Sequence, residues 1–81
     1  MVRLPRDLSS RKLISALARL GYVKIKQEGS HIRLETRESG RHRVVVPEAK
    51  AIPVGTLHTI LRDVALHFDK SVKALIDDLD L

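Results

Sequence analysis

Gly29-Ser30-His31-Ile32-Arg33-Leu34 reads as the end of a tight turn running into a β-strand. Side chains of a strand alternate between faces with a period of two. Ile32 and Leu34 therefore share one face, and His31, Arg33 and Glu35 share the other. The apolar pair belongs to the core, which leaves His31 on the open face of a sheet. Upstream, Tyr22 to Lys26 alternates too, so Val23 and Ile25 are expected inward and Tyr22, Lys24 and Lys26 outward. Downstream, a third strand is expected from Arg41 to Val46, stopping at Pro47. Its Val44-Val45-Val46 run leaves its facing open. The connections Gln27-Glu28-Gly29-Ser30 and Arg37-Glu38-Ser39-Gly40 are short, so the three strands form an antiparallel meander. Gly29 shapes the turn that presents His31, and Gly40 is suited to a left-handed position.

Helices flank this meander. Residues 1 to 8 read as an extended lead-in, with Pro5 opposing helix at Leu4. Ser9 or Ser10 offers an N-cap. Leu13, Ile14, Leu17 and Leu20 follow at helical spacing, and Gly21 closes the helix. After a loop from Glu48 to Val54, Thr56 is expected to N-cap a second helix striped by Leu57, Ile60, Leu61 and Val64. Phe68, Val72, Leu75, Ile76 and Leu79 stripe a third segment, with Asp69 or Ser71 as its cap. The expected class is α+β: a three-stranded antiparallel sheet with helices on one face, followed by a C-terminal helix.

The chain of 81 residues is 43% apolar, enough for one domain with one core. It has no cysteine, which excludes a disulfide scaffold and a cysteine-ligated zinc site. No apolar run reaches membrane-spanning length and no signal-peptide pattern opens the chain, so a cytoplasmic protein without a membrane role is expected. The charge is uneven. Residues 1 to 50 carry twelve Lys/Arg against five Asp/Glu, whereas residues 51 to 81 carry three against five. A basic sheet half points to a polyanion such as RNA. Tyr22 and Phe68 are the only aromatic rings of the Phe/Tyr/Trp kind, so bases are not read by stacking on a sheet of aromatics.

If the parity holds, Lys24, Lys26 and Arg33 gather around His31, and Arg41 and Arg43 join them if the third strand faces that way. An imidazole exchanges protons near neutral pH. Cleaving RNA at its own 2′-hydroxyl takes a base, an acid and positive charge for the transition state, and no metal or other cofactor. His31 as general acid or base, with Lys24, Lys26 and Arg33 on phosphate, supplies one proton-transfer group and the charge. A solvated strand histidine is the bland alternative. His42, His58 and His67 match no metal-ligand spacing with His31; His58 and His67 are expected to face solvent.

Gly21-Tyr22-Val23, Gly29-Ser30-His31, Val44-Val45-Val46-Pro47, and Pro53-Val54-Gly55-Thr56-Leu57 with Ile60-Leu61 together resemble the HicA family in order and spacing. The resemblance covers roughly residues 9 to 66, leaving about 67 to 81 as a helical extension of a single domain over 1 to 81. It implies a toxin of a toxin–antitoxin module with a fold like that of double-stranded-RNA-binding domains. The implied activity is metal-independent mRNA cleavage, with His31 as the catalytic histidine. Ser30 belongs to the same motif and is counted with Lys24, Lys26, Arg33, Arg41 and Arg43 as an RNA-binding candidate. The implied partner is a HicB-type antitoxin. Many members carry a second histidine after the first; this chain has Ile32. A non-catalytic double-stranded-RNA-binding module, and a protein-contact role for the open face, are the competing functions.

Overall fold

The computed structural model describes residues 4–81; the first three residues of the expected lead-in lie outside the described part. Helix α1, Ser10–Leu17, is capped by the Ser9 hydroxyl, which accepts from the Lys12 N–H at 3.1 Å. It tightens into a 3₁₀ turn over Ala18–Leu20 and ends at Gly21, whose φ of +83° is left-handed. A side chain could not replace that hydrogen, because a Cβ at Gly21 would lie 2.8 Å from Thr36 Oγ1. Thr36 Oγ1 donates to the Leu20 carbonyl at 2.7 Å and accepts from the Glu38 N–H at 3.1 Å. The end of α1 is thereby pinned to the end of the second strand.

Strands β1 (Val23–Glu28), β2 (His31–Thr36) and β3 (His42–Pro47) form an antiparallel sheet in that order. β2 alternates as its sequence demands, with Ile32, Leu34 and Thr36 buried and His31 and Arg33 exposed. The facing of β3 is resolved in the same sense. Val44 and Val46 are buried, while Arg43 and Val45 lie on the open side opposite Glu35 and Arg33. An α+β fold results, with α1 and α2 both packing against β3.

β1 corrects the expectation. Alternation places Val23 and Ile25 inward and Tyr22 outward, but Val23 and Ile25 are 60% and 43% exposed and Tyr22 is among the most buried residues. There are two physical reasons. β1 is the sheet edge remote from β3, where the helices pack, and all six of its residues are exposed. A bulge also interrupts its ladder: Lys24 pairs with Leu34, Lys26 with Arg33, and Ile25 between them has no partner. The extra residue reverses the parity. Lys26 and Glu28 reach the open face in register with Arg33 and His31, whereas Lys24 is in register with buried Leu34.

α2, Val54–His67, begins two residues before Thr56. Pro53 stands at the cap position without a side-chain bond, and its carbonyl takes the first helical bond, from the Leu57 N–H at 2.9 Å. Thr56 is therefore inside the first turn and caps nothing. The expected stripe, Leu57, Ile60, Leu61 and Val64, is buried. α3, Val72–Leu79, is capped by Ser71 rather than Asp69; the Ser71 hydroxyl accepts from the Ala74 N–H at 3.1 Å. It buries Leu75, Ile76 and Leu79 against the same core. Phe68 is not part of α3 but the cap residue of α2.

Candidate nucleic-acid interface

His31 is the first residue of β2, and the two-residue turn Gly29-Ser30 delivers it there. Gly29 takes φ +57° with open space around it. The turn is braced from β1 and from the segment after β3. The Gln27 side-chain amide donates to the Gly29 carbonyl at 3.0 Å, and the Glu48 N–H donates to the Ser30 carbonyl at 2.7 Å. Ser30 itself is exposed. His31 pairs with Glu28 on one side and Pro47 on the other, with its side chain exposed. Its orientation is fixed by its buried neighbours Ile32 and Leu34, which hold the strand's parity.

Cations surround it in two groups. Lys26 Nζ lies 3.1 Å and Arg33 Nη2 3.8 Å from the same Glu28 oxygen. Further along the sheet, Arg41 Nε and Arg43 Nε donate to one oxygen of Glu35, at 2.7 and 3.1 Å. Glu35 is four residues beyond His31, about 13 Å at roughly 3.3 Å per residue. Hydrogen bonds from Arg41 and then Arg43 hold the Glu35 carboxyl below the usual carboxylate range, against the opposing effect of burial. The Lys26–Glu28 pair is more than half exposed on both sides, and such pairs contribute about 0–1 kcal/mol. An arriving phosphate can displace the carboxylate at little cost. Lys24 stands apart: its ammonium donates to Gln27 Oε1 at 2.7 Å, in a strand position facing away from His31. The structure thus brings Lys26 and Arg33 to His31, places Arg41 and Arg43 farther along the same face, and separates Lys24.

A groove of about 610 Å³ runs beside β3, lined by Arg33 and Arg43 on the sheet and by Thr56, Thr59 and Asp63 on α2. His31 does not line it. Arg33 belongs to both, so the groove continues from the surface around His31.

The remaining imidazoles are arranged differently. His42 Nδ1 shares a 2.6 Å hydrogen bond with the Tyr22 hydroxyl. Its ring stacks on His67 at 4.5 Å and 11°. His67 was expected to face solvent; instead it is half-buried, and its Nε2–H donates to the carbonyls of Glu38 and Gly40 at 2.9 and 3.0 Å. Those carbonyls belong to the β2–β3 connection, so His67 straps the end of α2 to it. Burial pushes the His42 pKa down, and the nearby His67 adds to the effect while Asp63 opposes it. Burial and Asp63 push Tyr22 up to about 12. Among the described residues, no three His, Cys, Asp or Glu side chains converge to hold a metal ion, and no helix is long and apolar enough to cross a membrane.

Sequence reasoning missed two features. One is the Tyr22–His42–His67 cluster, whose members are far apart in the chain. The other is Glu28, whose place opposite His31 follows from a two-residue turn.

Comparison with known proteins adds one match. The family described as the HicA toxin of bacterial toxin–antitoxin systems matches residues 10–66, from the start of α1 to the last turn of α2. α3 lies beyond the matched stretch. No curated protein and no solved structure matches the chain.

Proposed function

The chain belongs to the HicA toxin family of bacterial toxin–antitoxin modules, and from that premise we propose that it is an endoribonuclease acting on mRNA, with His31 as a proton-transfer group. The family makes it a toxin with an antitoxin partner. The observation that carries the chemistry is the exposure of His31 on an open sheet face with Lys26 and Arg33 beside it. An imidazole so placed reaches a phosphodiester laid across the sheet. Lys26 and Arg33 stabilise the charge that develops on the non-bridging oxygens. Arg41 and Arg43 hold the strand farther along, and Ser30 lies at the rim of the turn. A HicB-type antitoxin suppresses the toxin by covering this face.

The test is cleavage of RNA by the purified chain and by His31→Ala, each with and without EDTA. Parent cleavage that survives EDTA, and its loss in His31→Ala with an unchanged melting curve, is the expected pattern. Equal cleavage by both proteins removes His31 from the reaction. Salt-dependent RNA binding without any product leaves a binding module instead.

A further inference from the structure

Two carboxylates stand on the face a polyanion would use: Glu35, held by Arg41 and Arg43, and Glu28, at the end that carries His31. β1 and β2 close on Gly29-Ser30, so Glu28 is directly opposite His31 in the ladder. Directly opposed side chains of an antiparallel pair have Cβ atoms about 4.5–5.5 Å apart on one face. Glu28 is also where the nearest cations converge, since Lys26 and Arg33 share its Oε1. From β3, Pro47 pairs with His31 and Val45 with Arg33, so that strand brings no charge to this end of the face. Glu28 and His31 are both exposed.

Such a carboxylate cancels charge that RNA would use, and it repels phosphate. It has a purpose if the reaction needs a second proton-transfer group, and in-line attack by a 2′-hydroxyl needs two. Building on the ribonuclease reading of His31, we propose that Glu28 is a catalytic residue, the general base partnered with His31 as general acid. Glu28 takes the proton as the O2′–H bond breaks. The O2′–P bond forms and the P–O5′ bond breaks. O5′ takes its proton from the His31 imidazolium. The products are a 2′,3′-cyclic phosphate and a free 5′-hydroxyl, and no water, metal or redox partner is consumed. Lys26 and Arg33, exchanged from the carboxylate onto phosphate, neutralise the non-bridging oxygens. Their release also frees the Glu28 oxygen to accept a proton.

The experiment measures kcat and KM across pH on a short RNA for the parent, Glu28→Gln, Glu28→Asp and His31→Ala, with melting curves for each. A copy of the RNA carrying 2′-deoxyribose at the cleaved position serves as a control. The expected result is a kcat lower by about 10²-fold or more in Glu28→Gln, the scale of general-base catalysis. KM stays level or falls. The low-pH limb of the bell-shaped rate profile disappears in this variant alone. Glu28→Asp, which keeps a carboxylate, retains that limb with reduced rate, and the deoxy RNA stays uncut. A Glu28→Gln protein as fast as the parent or faster, with His31→Ala inactive, overturns the role of Glu28 and leaves the ribonuclease reading standing. No cleavage by the parent overturns both.

Discussion

His31 and His42 lie at opposite ends of the same pair of strands and on opposite faces. His31 pairs with Pro47 at one end of the β2–β3 ladder; His42 pairs with Thr36 at the other. Among the described residues no hydrogen bond or ion pair engages the His31 ring, while His42 is bonded to Tyr22 and stacked on His67. Burial favours the neutral form of His42, and its nitrogen is already committed. A group that must give and take protons needs solvent and substrate access. A group that holds three elements together needs the opposite. The difference teaches that strand parity and neighbours, not the imidazole itself, decide which histidine is a reagent and which is a strut.

The sharpest way to break this contrast is to remove each ring's function in turn. His31→Ala is expected to lower cleavage by about 10²–10⁴-fold, the range for one general acid or base, equivalent to roughly 2.7–5.5 kcal/mol of barrier. Its melting temperature should match that of the parent, because the exposed ring holds nothing together. Loss of stability without loss of rate would reverse the roles assigned to the two ends. Tyr22→Phe is the complementary change. It keeps the buried ring and removes the hydroxyl from His42 Nδ1, so urea denaturation should show a loss of about 0.5–1.5 kcal/mol, the net contribution of one hydrogen bond at a part-buried site. Cleavage per folded molecule should not change. A fall in kcat would draw the Tyr22–His42 pair into the chemistry.

The same contrast explains what the sequence disclosed. His31 was legible because Ile32 and Leu34 bury one face of β2, and a slip of one residue would expose both. The α1 ends were legible because Ser9 and Gly21 act locally, on backbone groups three residues away or fewer. β1 was not. Its alternation has no consequence at an edge that no helix covers, and nothing in Val23-Lys24-Ile25-Lys26 announces a bulge. Lys24 was lost from the site, and Lys26 kept, through that one unpaired residue. Thr56 looked like a cap because local composition cannot show that Pro53 already supplies the first helical carbonyl. His67 was misplaced because its partners are carbonyls at Glu38 and Gly40, and backbone acceptors leave no mark in a sequence.

The smallest expected effect lies in the pH dependence of stability, and its sign separates the two regions. The folded-state pKa of His42 is below its ordinary value of 6.5, so the unfolded chain binds the proton more readily. Its contribution is fully present above about 6.5 and is lost as the pH falls from there toward the folded-state value. Glu35 is depressed too, but a carboxylate's contribution is lost only as the pH falls below its ordinary 4.5. A decline in unfolding free energy between about pH 7 and pH 5 therefore belongs to histidine, not to the Glu35 arginine pair. Denaturation series at these pH values should show that decline in the parent and in His31→Ala alike. It should flatten in His42→Asn, which leaves His67, Asp63 and Tyr22 in place but removes the imidazole whose charged form the site disfavours. A decline that persists in His42→Asn and vanishes in His31→Ala would mean that the exposed ring, not the half-buried one, is coupled to folding. The distinction between the two ends of the sheet would then fail at its physical root.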